Sequence, residues 1–249
     1  MLNIVLPIAG RGSRFAVAGY PQPKPLIPVR GRPMIELVAQ NLRPARAHRV
    51  IFVALREHLD NWDIGAVLAR AAPGCAIVPV DSVTEGAACT VLLAQDLIDN
   101  DDPLMIANTD QYVDVDIERY LAAGDARGCD GLIMTFEASD PKWSYVRKDA
   151  AGRIVEVVEK KVVSREATVG IYNFRRGGDF VRAAHSMIAK NLRVNGEFYV
   201  APTYNQLIGA GAAIRSFAIE GEGIGMHGLG TPEDLQRFLA RDPALGARG

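Results

Sequence analysis

Four short apolar runs punctuate the first 110 residues, and each is followed by a polar loop or an amphipathic segment. The runs are apolar throughout rather than alternating, which is typical of strands buried on both faces of a sheet, although runs this short also occur within helices. Between them, apolar residues recur three and four positions apart, the spacing of an amphipathic helix. This alternation predicts an α/β, Rossmann-like fold with a mixed, mostly parallel sheet flanked by helices. The strands are predicted at residues 2–8, 49–55, 75–80 and 103–107, and the helices at residues 33–42, 60–72 and 87–98.

The pattern changes after residue 130, where predicted strands follow one another directly. The turn residues at 149–152 join two of these strands into a hairpin. Thr231 followed by Pro232 predicts the start of a last helix, because threonine caps helix N-termini and proline suits the first helical position. We expect residues 1–240 to form a single domain and residues 241–249 to form a frayed tail. The later strands are predicted at residues 130–137, 143–148, 153–159, 167–174 and 213–219, and the later helices at 116–123, 180–190, 197–208 and 231–239.

Composition places the chain among ordinary globular proteins. Of its 249 residues, 49% are apolar and 23% are charged, so a sizeable core is expected. The formal net charge of −1 argues against a general binder of nucleic acid or of membrane surfaces. No apolar run approaches the roughly 18 residues of a membrane-spanning helix, and the N-terminus lacks the pattern of a secretory signal. Cys75, Cys89 and Cys129 lie far apart and in no metal-ligand spacing, so we expect reduced thiols in a cytoplasmic protein.

Three polar loops follow the first, third and fourth predicted strands, at residues 9–25, 81–86 and 108–111. Because ligands in parallel sheets bind outside the carboxyl ends of the strands, we expect these loops to meet in one cleft. The first loop holds two glycines with three cations nearby, Arg11, Arg14 and Lys24. Glycines let backbone N–H groups approach an anion closely, so the loop is predicted to hold a nucleoside triphosphate.

Two common phosphate-binding loops do not fit this stretch. The dinucleotide-binding fingerprint needs a third glycine where Phe15 stands, and no segment matches the Gly-x-x-x-x-Gly-Lys-Ser/Thr loop. What remains is Gly-x-Gly-x-Arg-Phe at residues 10–15 and Pro-Lys-Pro-Leu-Ile-Pro-Val at residues 23–29. This two-part pattern closely resembles the signature of the sugar-phosphate nucleotidylyltransferases, of the glucose-1-phosphate thymidylyltransferase and mannose-1-phosphate guanylyltransferase type. The chain length resembles the compact members, which lack a C-terminal β-helix.

The resemblance implies a nucleotide-diphospho-sugar transferase fold of the GT-A-like kind and a defined reaction. An acceptor phosphate attacks the α-phosphorus of an NTP, and pyrophosphate leaves. Residues 1–130 would form the NTP-binding half and residues 131–240 the acceptor-binding half. The product would be an NDP-sugar for surface polysaccharide or capsule biosynthesis. The implied partners are an NTP and a phosphorylated small molecule, with no nucleic acid and no membrane, and a homo-oligomer is left open.

On the nucleotide side, the resemblance implies three catalytic residues, Arg14, Lys24 and Asp110. Arg14 would stabilise the leaving pyrophosphate, Lys24 would contact the reacting phosphate, and Asp110 would bind Mg²⁺. The alternatives are a solvated Arg14–Lys24 surface pair and a helix-capping role for Asp110. Residues implied to bind the nucleotide are Ala9, Gly10, Arg11, Gly12 and Ser13 for the triphosphate, and Glu85 and Gly86 for the base.

The alternative for Glu85 and Gly86 is a plain helix start.

On the acceptor side, Glu159 would accept from acceptor hydroxyls and Lys160 would hold the acceptor phosphate. The alternative for both residues is a charged strand end. Ser144 stands where relatives often carry glycine. The residues implied to bind the acceptor are Tyr145, Glu159, Lys160, Gly170 and Glu197.

One departure concerns the metal. Many relatives carry an aspartate, as a second Mg²⁺ ligand, where this chain has Gly228. His227 is adjacent, but imidazole is a poor ligand for Mg²⁺. Asp110 would then hold the metal with substrate phosphates and water alone.

Three other functions remain open. The chain could be a cytidylyltransferase acting on a non-sugar phosphate, or a nucleotide-binding regulatory homologue without turnover. It could also be a metal-dependent glycosyltransferase that uses the Asp-x-Asp of Asp114 and Asp116, which we interpret instead as the start of a helix.

Overall fold

The computed structural model describes residues 1–241, so the predicted frayed tail lies, apart from Arg241, outside the described residues. The first half alternates strands and helices as predicted. Its strands are β1 (Leu2–Ile8), β2 (Pro28–Val29), β3 (Arg32–Pro33), β4 (His48–Leu55), β5 (Ala76–Val80), β6 (Leu104–Ala107) and β7 (Gln111–Val113). Its helices are α1 (Ser13–Val17), α2 (Met34–Asn41), α3 (Arg56–Asn61), α4 (Ile64–Ala71), α5 (Ala87–Leu92), α6 (Gln95–Ile98) and α7 (Ile117–Arg127).

The second half begins with consecutive strands, as its sequence predicts. Its strands are β8 (Gly131–Glu137), β9 (Ser144–Lys148), β10 (Ile154–Glu159), β11 (Glu166–Phe174), β12 (Ile214–Ala218) and β13 (Met226–Gly228). Its helices are α8 (Gly177–Ala189), α9 (Tyr204–Gly209) and α10 (Pro232–Leu239). Short 3-10 turns lie at Lys24–Leu26 and Ala201–Thr203.

A nine-stranded sheet joins the two halves. Its main path runs β10-β9-β11-β6-β1-β4-β5, and β8 pairs with β11 and β12 beside that path. β6, β1, β4 and β5 are parallel, whereas β11 is antiparallel to β6. The predicted fold, a mixed and mostly parallel sheet flanked by helices, is confirmed.

The apolar character of the strands reflects burial on both faces of the sheet. In β1, Ile4 and Leu6 belong to one core cluster, while Val5 between them belongs to the other. A strand in this position needs apolar residues on both sides, which is why the sequence does not alternate. Because β1 and β6 are parallel neighbours in the sheet, their carboxyl ends lie side by side, and the loops that follow them meet.

The helix starts show local capping. The Thr231 side chain accepts from the backbone N–H of Asp234 at 3.1 Å, which confirms the predicted cap of α10. The Asp116 carboxylate accepts from the N–H of Glu118 at 2.9 Å and begins α7. This confirms the interpretation of Asp116 as helix-start chemistry.

Three predicted helices are wrong in extent. The helix predicted at residues 60–72 is two helices, because Trp62 is extended and separates α3 from α4. The helix predicted at 87–98 is likewise divided between α5 and α6. In place of a helix from residue 197, helical structure starts at Ala201, because the backbone of Phe198 pairs with Glu85 and Ala88.

The glycine-rich segment near the C-terminus, predicted as a loop, also contains the short strand β13. It pairs with β7 in a separate two-stranded sheet. Among residues 1–241, no helix is both long enough and apolar enough to cross a bilayer.

Candidate functional site

Two adjoining cavities open beside the carboxyl ends of β1 and β6. The loop cavity, of about 390 Å³, is lined by the loop after β1, by Lys24 and by the segment before α5. The hairpin cavity, of about 550 Å³, is lined by the ends of the β9–β10 hairpin, by the middle of β11 and by the start of α10. Both cavities are lined by Ala87, Asn108, Asp110 and Tyr199. This shared wall places Asp110 between the two cavities.

The two parts of the sequence signature meet at Gly12. Gly12 has a left-handed backbone (φ 61°), and its carbonyl accepts from the N–H of Phe15 at 2.9 Å. A Cβ at Gly12 would lie 2.8 Å from Cβ of Lys24, so the segment around Lys24 packs directly on the glycine. Phe15 is buried in the core, where its ring packs edge-on against Tyr20 at 5.2 Å. The bulky residue that rules out a dinucleotide fingerprint thus anchors the loop.

Only some of the loop residues predicted to bind phosphate line a cavity. Ala9, Gly10 and Gly12 line the loop cavity, and Arg14 lines the hairpin cavity. Arg11 lines neither cavity, and its exposed guanidinium lies 3.9 Å from the Glu57 carboxylate. Ser13 is exposed and begins α1.

Lys24 and Asp110 form an ion pair at the shared wall. The Lys24 Nζ atom donates to Oδ2 of Asp110 at 2.8 Å. Burial by itself would raise the pKa of Asp110, but the Lys24 ammonium and the more distant charge of Arg14 hold that pKa below its ordinary value. The carboxylate is therefore ionised at neutral pH and has a cation beside it.

The segment after β13 approaches the same carboxylate from the other side. The N–H of Leu229 donates to the backbone carbonyl of Asp110 at 2.6 Å. A Cβ at Gly230 would lie 3.1 Å from Oδ2 of Asp110, so a side chain there would crowd the carboxylate. Glycine at this position keeps the surroundings of Asp110 open.

The donor atoms at this wall fit a magnesium ion that is held mainly by its substrates. Within residues 1–241, no group of three or more histidine, cysteine or acidic side chains could hold a metal. Mg²⁺ usually takes one or two carboxylates and completes its shell with waters and substrate phosphates, and Asp110 offers such a carboxylate. His227 does not contribute, since Nε2 of its buried ring lies 3.0 Å from the carbonyl oxygen of Ile224. Burial also lowers the pKa of His227, which keeps the ring neutral.

A second carboxylate lies next to Gly228. A Cβ at Gly228 would come 3.3 Å from Cγ of Asp234, which projects from the first turn of α10. Asp234 accepts from Arg237 at 2.5 Å, and both side chains line the hairpin cavity. Sequence reasoning missed this pair, because its residues belong to a helix start and carry no motif.

The segment predicted to recognise a base, Glu85 and Gly86, packs against the backbone of Phe198 and pairs with Arg193. Gly86 has a φ of 132°, and a Cβ there would lie 2.4 Å from the carbonyl oxygen of Phe198. The close approach that requires glycine is therefore that of the Phe198 backbone. The Glu85 carboxylate accepts from Arg193 at 3.2 Å, and Glu85 lines neither cavity.

Threonine side chains face the loop cavity in the same segment. The hydroxyls of Thr84 and Thr90 are hydrogen bonded to each other at 2.6 Å, and both residues line the cavity with Gly86. Sequence reasoning missed both threonines. Their positions, just before and within α5, are typical of helix-start residues and gave no separate signal.

On the opposite side, Glu159 lies on the floor of the hairpin cavity. It is 8% exposed and accepts a hydrogen bond from the Ser144 hydroxyl. Burial raises the pKa of Glu159, while the Ser144 hydroxyl and the Lys160 ammonium oppose that rise. Lys160, at the hairpin end, donates to the hydroxyl of Tyr199 and lies 4.6 Å from the centre of its ring.

Of the other residues predicted on the acceptor side, Gly170 lines the hairpin cavity. Its φ is 96°, and a Cβ there would lie 2.5 Å from Nδ2 of Asn108. Glu197 lines the loop cavity rather than the hairpin cavity. Tyr145 is fully buried, lines neither cavity, and donates to the carbonyl of Asp140 at 2.7 Å.

Comparison with known proteins adds independent information. Residues 4–168 match the family described as the MobA-like NTP transferase domain. The Bifunctional protein GlmU of Cupriavidus metallidurans is 29% identical over 224 residues, which cover 86% of this chain and 46% of that protein. The chain spans about half the length of the first curated relatives it matches.

Solved structures resemble the fold over nearly its whole length. A nucleoside-diphosphate-sugar pyrophosphorylase from Vibrio cholerae RC9 superposes with a TM-score of 0.79 at 25% identity, covering 96% of this chain and 100% of the other. A UDP-glucose pyrophosphorylase from Acinetobacter baumanii gives a TM-score of 0.72 at 16% identity, covering 99% and 96%. The second likeness concerns the fold alone.

Proposed function

Because the chain belongs to the MobA-like NTP transferase domain family, we propose that it is a nucleotidyltransferase that couples an NTP to a phosphorylated acceptor and releases pyrophosphate. The family resemblance predicted from residues 10–15 and 23–29 is confirmed by this match and by the relatives. The acceptor we propose is a sugar 1-phosphate, which gives an NDP-sugar. A role of that product in surface polysaccharide or capsule formation is part of the proposal.

The observation that carries the proposal is the Lys24–Asp110 pair at the wall between the two cavities. The loop cavity has the glycine-rich backbone suited to a triphosphate. The hairpin cavity has a buried carboxylate and a lysine suited to a hydroxylated phosphate. A reaction that joins two phosphates needs its charge stabilisation where the two substrates meet, and an ion pair at the wall between two cavities supports this assignment.

In the proposed reaction, an oxygen of the acceptor phosphate forms a bond to the α-phosphorus of the NTP. The bond between that phosphorus and the bridging oxygen of pyrophosphate breaks, and pyrophosphate leaves with the electron pair. The backbone from Gly10 to Gly12 binds the triphosphate, and Arg14 stabilises the leaving group. Lys24 offsets the charge at the reacting centre, and Lys160 holds the acceptor phosphate. Positioning and charge stabilisation account for most of the catalysis in such phosphoryl chemistry.

We propose Asp110 as the residue that holds Mg²⁺, and Mg²⁺ bound there would neutralise charge on the phosphates. The carboxylate is ionised, and Gly230 leaves room beside it. The Lys24 ammonium takes one acceptor site on Oδ2, and the carboxylate has further acceptor sites for a metal. The remaining ligands would come from substrate phosphates and water.

Ser144 favours a second acceptor class, a phosphate on a non-sugar alcohol. Its side chain occupies floor space in the hairpin cavity and already uses one oxygen of Glu159. A cytidylyltransferase acting on such a phosphate remains the second candidate. It shares the same phosphate chemistry and differs only in the base and the acceptor.

One assay tests the proposal: pyrophosphate release with Mg²⁺, across four NTPs and a panel of sugar 1-phosphates and alditol phosphates. We expect release with one base and one acceptor class. Release with alditol phosphates alone would select the second candidate. No release with any pair would contradict nucleotidyl transfer and favour a regulatory nucleotide-binding protein.

A further inference from the structure

Ser144 and Glu159 face each other at the open end of the β9–β10 hairpin, where β9 begins and β10 ends. They are directly opposite in the antiparallel register, so their side chains project from the same face. Both are 8% exposed, and both line the hairpin cavity. The Ser144 hydroxyl donates to Oε2 of Glu159 in a buried hydrogen bond. The serine therefore engages one side of the carboxylate before any ligand enters.

The hydrogen bonding continues behind the serine into β11. The Tyr172 hydroxyl is hydrogen bonded to Thr168 Oγ1 at 2.9 Å and also interacts with the Ser144 hydroxyl. Each hydroxyl has one proton to donate. Ser144 gives its proton to Glu159, so its hydroxyl lies between Glu159 and Tyr172. These contacts keep the serine hydroxyl in place beside Oε2 of Glu159.

We propose that Ser144 is a positioning residue that orients the Glu159 carboxylate and takes one acceptor site of Oε2, so that Oε1 is the stronger partner for an acceptor hydroxyl. This inference rests on the proposed function and assigns the acceptor specificity of the same site. A carboxylate with both oxygens free can bind two neighbouring hydroxyls at once. Since the Ser144 hydroxyl already occupies one site on Oε2, a hydroxyl that binds Oε2 gains a weaker partner than one that binds Oε1.

The charges around Glu159 are compatible with this arrangement. Burial raises the pKa of its carboxyl, the Ser144 hydroxyl and the Lys160 ammonium lower it, and Glu197 raises it slightly further. Removing the serine hydroxyl deletes the larger of the two opposing contacts. The Glu159 carboxyl should therefore titrate at higher pH when Ser144 is replaced.

The first test reads the carboxylate itself and needs no turnover. Side-chain carboxyl signals of ¹³C-labelled glutamate are followed by NMR from acid to neutral pH, and Glu159 is identified by its absence in Glu159→Gln. We expect the Glu159 titration to move to higher pH in Ser144→Ala. Ser164→Ala is the matched control, because Ser164 donates to the backbone carbonyl of Val146 and lines neither cavity. An unchanged Glu159 titration in Ser144→Ala would overturn the proposal.

The second test reads acceptor selection through KM. Glucose 1-phosphate, or the panel acceptor turned over fastest, is compared with its monodeoxy forms in the wild type and in Ser144→Gly. We expect KM to rise when one of two neighbouring hydroxyls is deleted from the acceptor. This fold-increase in KM should be at least three times larger in Ser144→Gly than in the wild type, since the freed Oε2 accepts the second hydroxyl. Equal KM costs in the two proteins would overturn the proposal.

The two tests distinguish failure of this inference from failure of the proposed function. No turnover with any pair contradicts nucleotidyl transfer and acceptor selection together, while the NMR titration still decides whether Ser144 holds Glu159. Turnover with an unchanged titration and unchanged KM costs contradicts the inference alone. Thermal unfolding of both Ser144 variants shows whether they fold like the wild type.

Discussion

The ammonium of Lys24 lies 2.8 Å from a carboxylate oxygen of Asp110, although 86 residues separate them in the sequence. Lys24 follows the loop after β1, and Asp110 follows β6. β1 and β6 are parallel neighbours in the sheet, so the loops at their carboxyl ends are brought together. The pair thus results from strand order: Lys24 lines the loop cavity, and Asp110 lines both cavities.

Replacing Lys24 with alanine should lower turnover by ~10²-fold or more, the scale for losing one contact to developing charge. The loss should fall on kcat, because the proposed contact strengthens in the transition state. Pyrophosphate release at saturating substrates measures it. Lys161→Ala is the matched control, since Lys161 is exposed and lines neither cavity. A Lys24→Ala enzyme with wild-type kcat would show that the reacting phosphate lies elsewhere.

Asp110→Asn should lower Mg²⁺-dependent turnover by ~10²-fold or more, on the same scale for an electrostatic contact. It should also weaken metal binding in the presence of nucleotide, because an amide is a poorer ligand for a hard cation than a carboxylate. Mn²⁺ binding followed by electron paramagnetic resonance reads this without turnover.

Asp116→Asn is the companion variant for Asp110→Asn. Asparagine caps helices about as well as aspartate, so its stability and activity should stay close to those of the wild type. If Asp116→Asn abolished metal binding while Asp110→Asn kept it, the Asp-x-Asp of a glycosyltransferase would be the better interpretation.

The sequence predicts the parallel half of the fold because burial on both faces leaves a strong local pattern. β1 and β6 are apolar along their length for that reason. β13 escapes prediction, because three residues form a strand only by pairing with β7, more than a hundred positions earlier in the chain. The helix predicted from residue 197 fails for a similar reason. Phe198 uses its N–H and carbonyl on Glu85 and Ala88, and these distant partners outweigh a local helical preference.

In the candidate site, residues marked by a sequence motif are predictable, whereas residues placed there by packing are not. Lys24 and Asp110 are predictable because a two-part motif and a strand end mark them. Asp234 is not, since its place beside Gly228 depends on how α10 docks. Glu85 remains a prediction as a base contact, although its carboxylate is paired with Arg193.

Glu159→Gln should remove one contribution to stability that is lost as pH rises. Burial raises the pKa of Glu159, so the folded protein binds this proton more tightly than the unfolded chain does. Its contribution to stability is fully present below the ordinary glutamate pKa and is lost as pH rises through the raised value. Glutamine has no charge to bury, so the variant should gain stability relative to the wild type on going from acid to neutral pH. Urea unfolding across that range measures the difference.

Glu156→Gln controls for the loss of any acidic charge from β10. The Glu156 side chain is 43% exposed and pairs at 2.8 Å with Arg147, an interaction of little energetic value at a surface. This variant should follow the wild-type pH dependence. A Glu159→Gln curve parallel to the wild-type curve would mean that the buried carboxyl titrates as an ordinary one.

Gly86→Ala should destabilise the protein much more than Gly74→Ala. Both glycines have positive φ, 132° and 77°, but a Cβ at Gly74 meets nothing within 4 Å, whereas one at Gly86 would lie 2.4 Å from the Phe198 carbonyl oxygen. Gly74→Ala therefore measures the strain of a positive φ without a steric clash, about 1–2 kcal/mol. Gly86→Ala adds displacement of the Phe198 backbone, for a total of about 3 kcal/mol or more. Denaturant unfolding of both variants measures these losses, and equal losses would mean that the Phe198 backbone does not pack on Gly86.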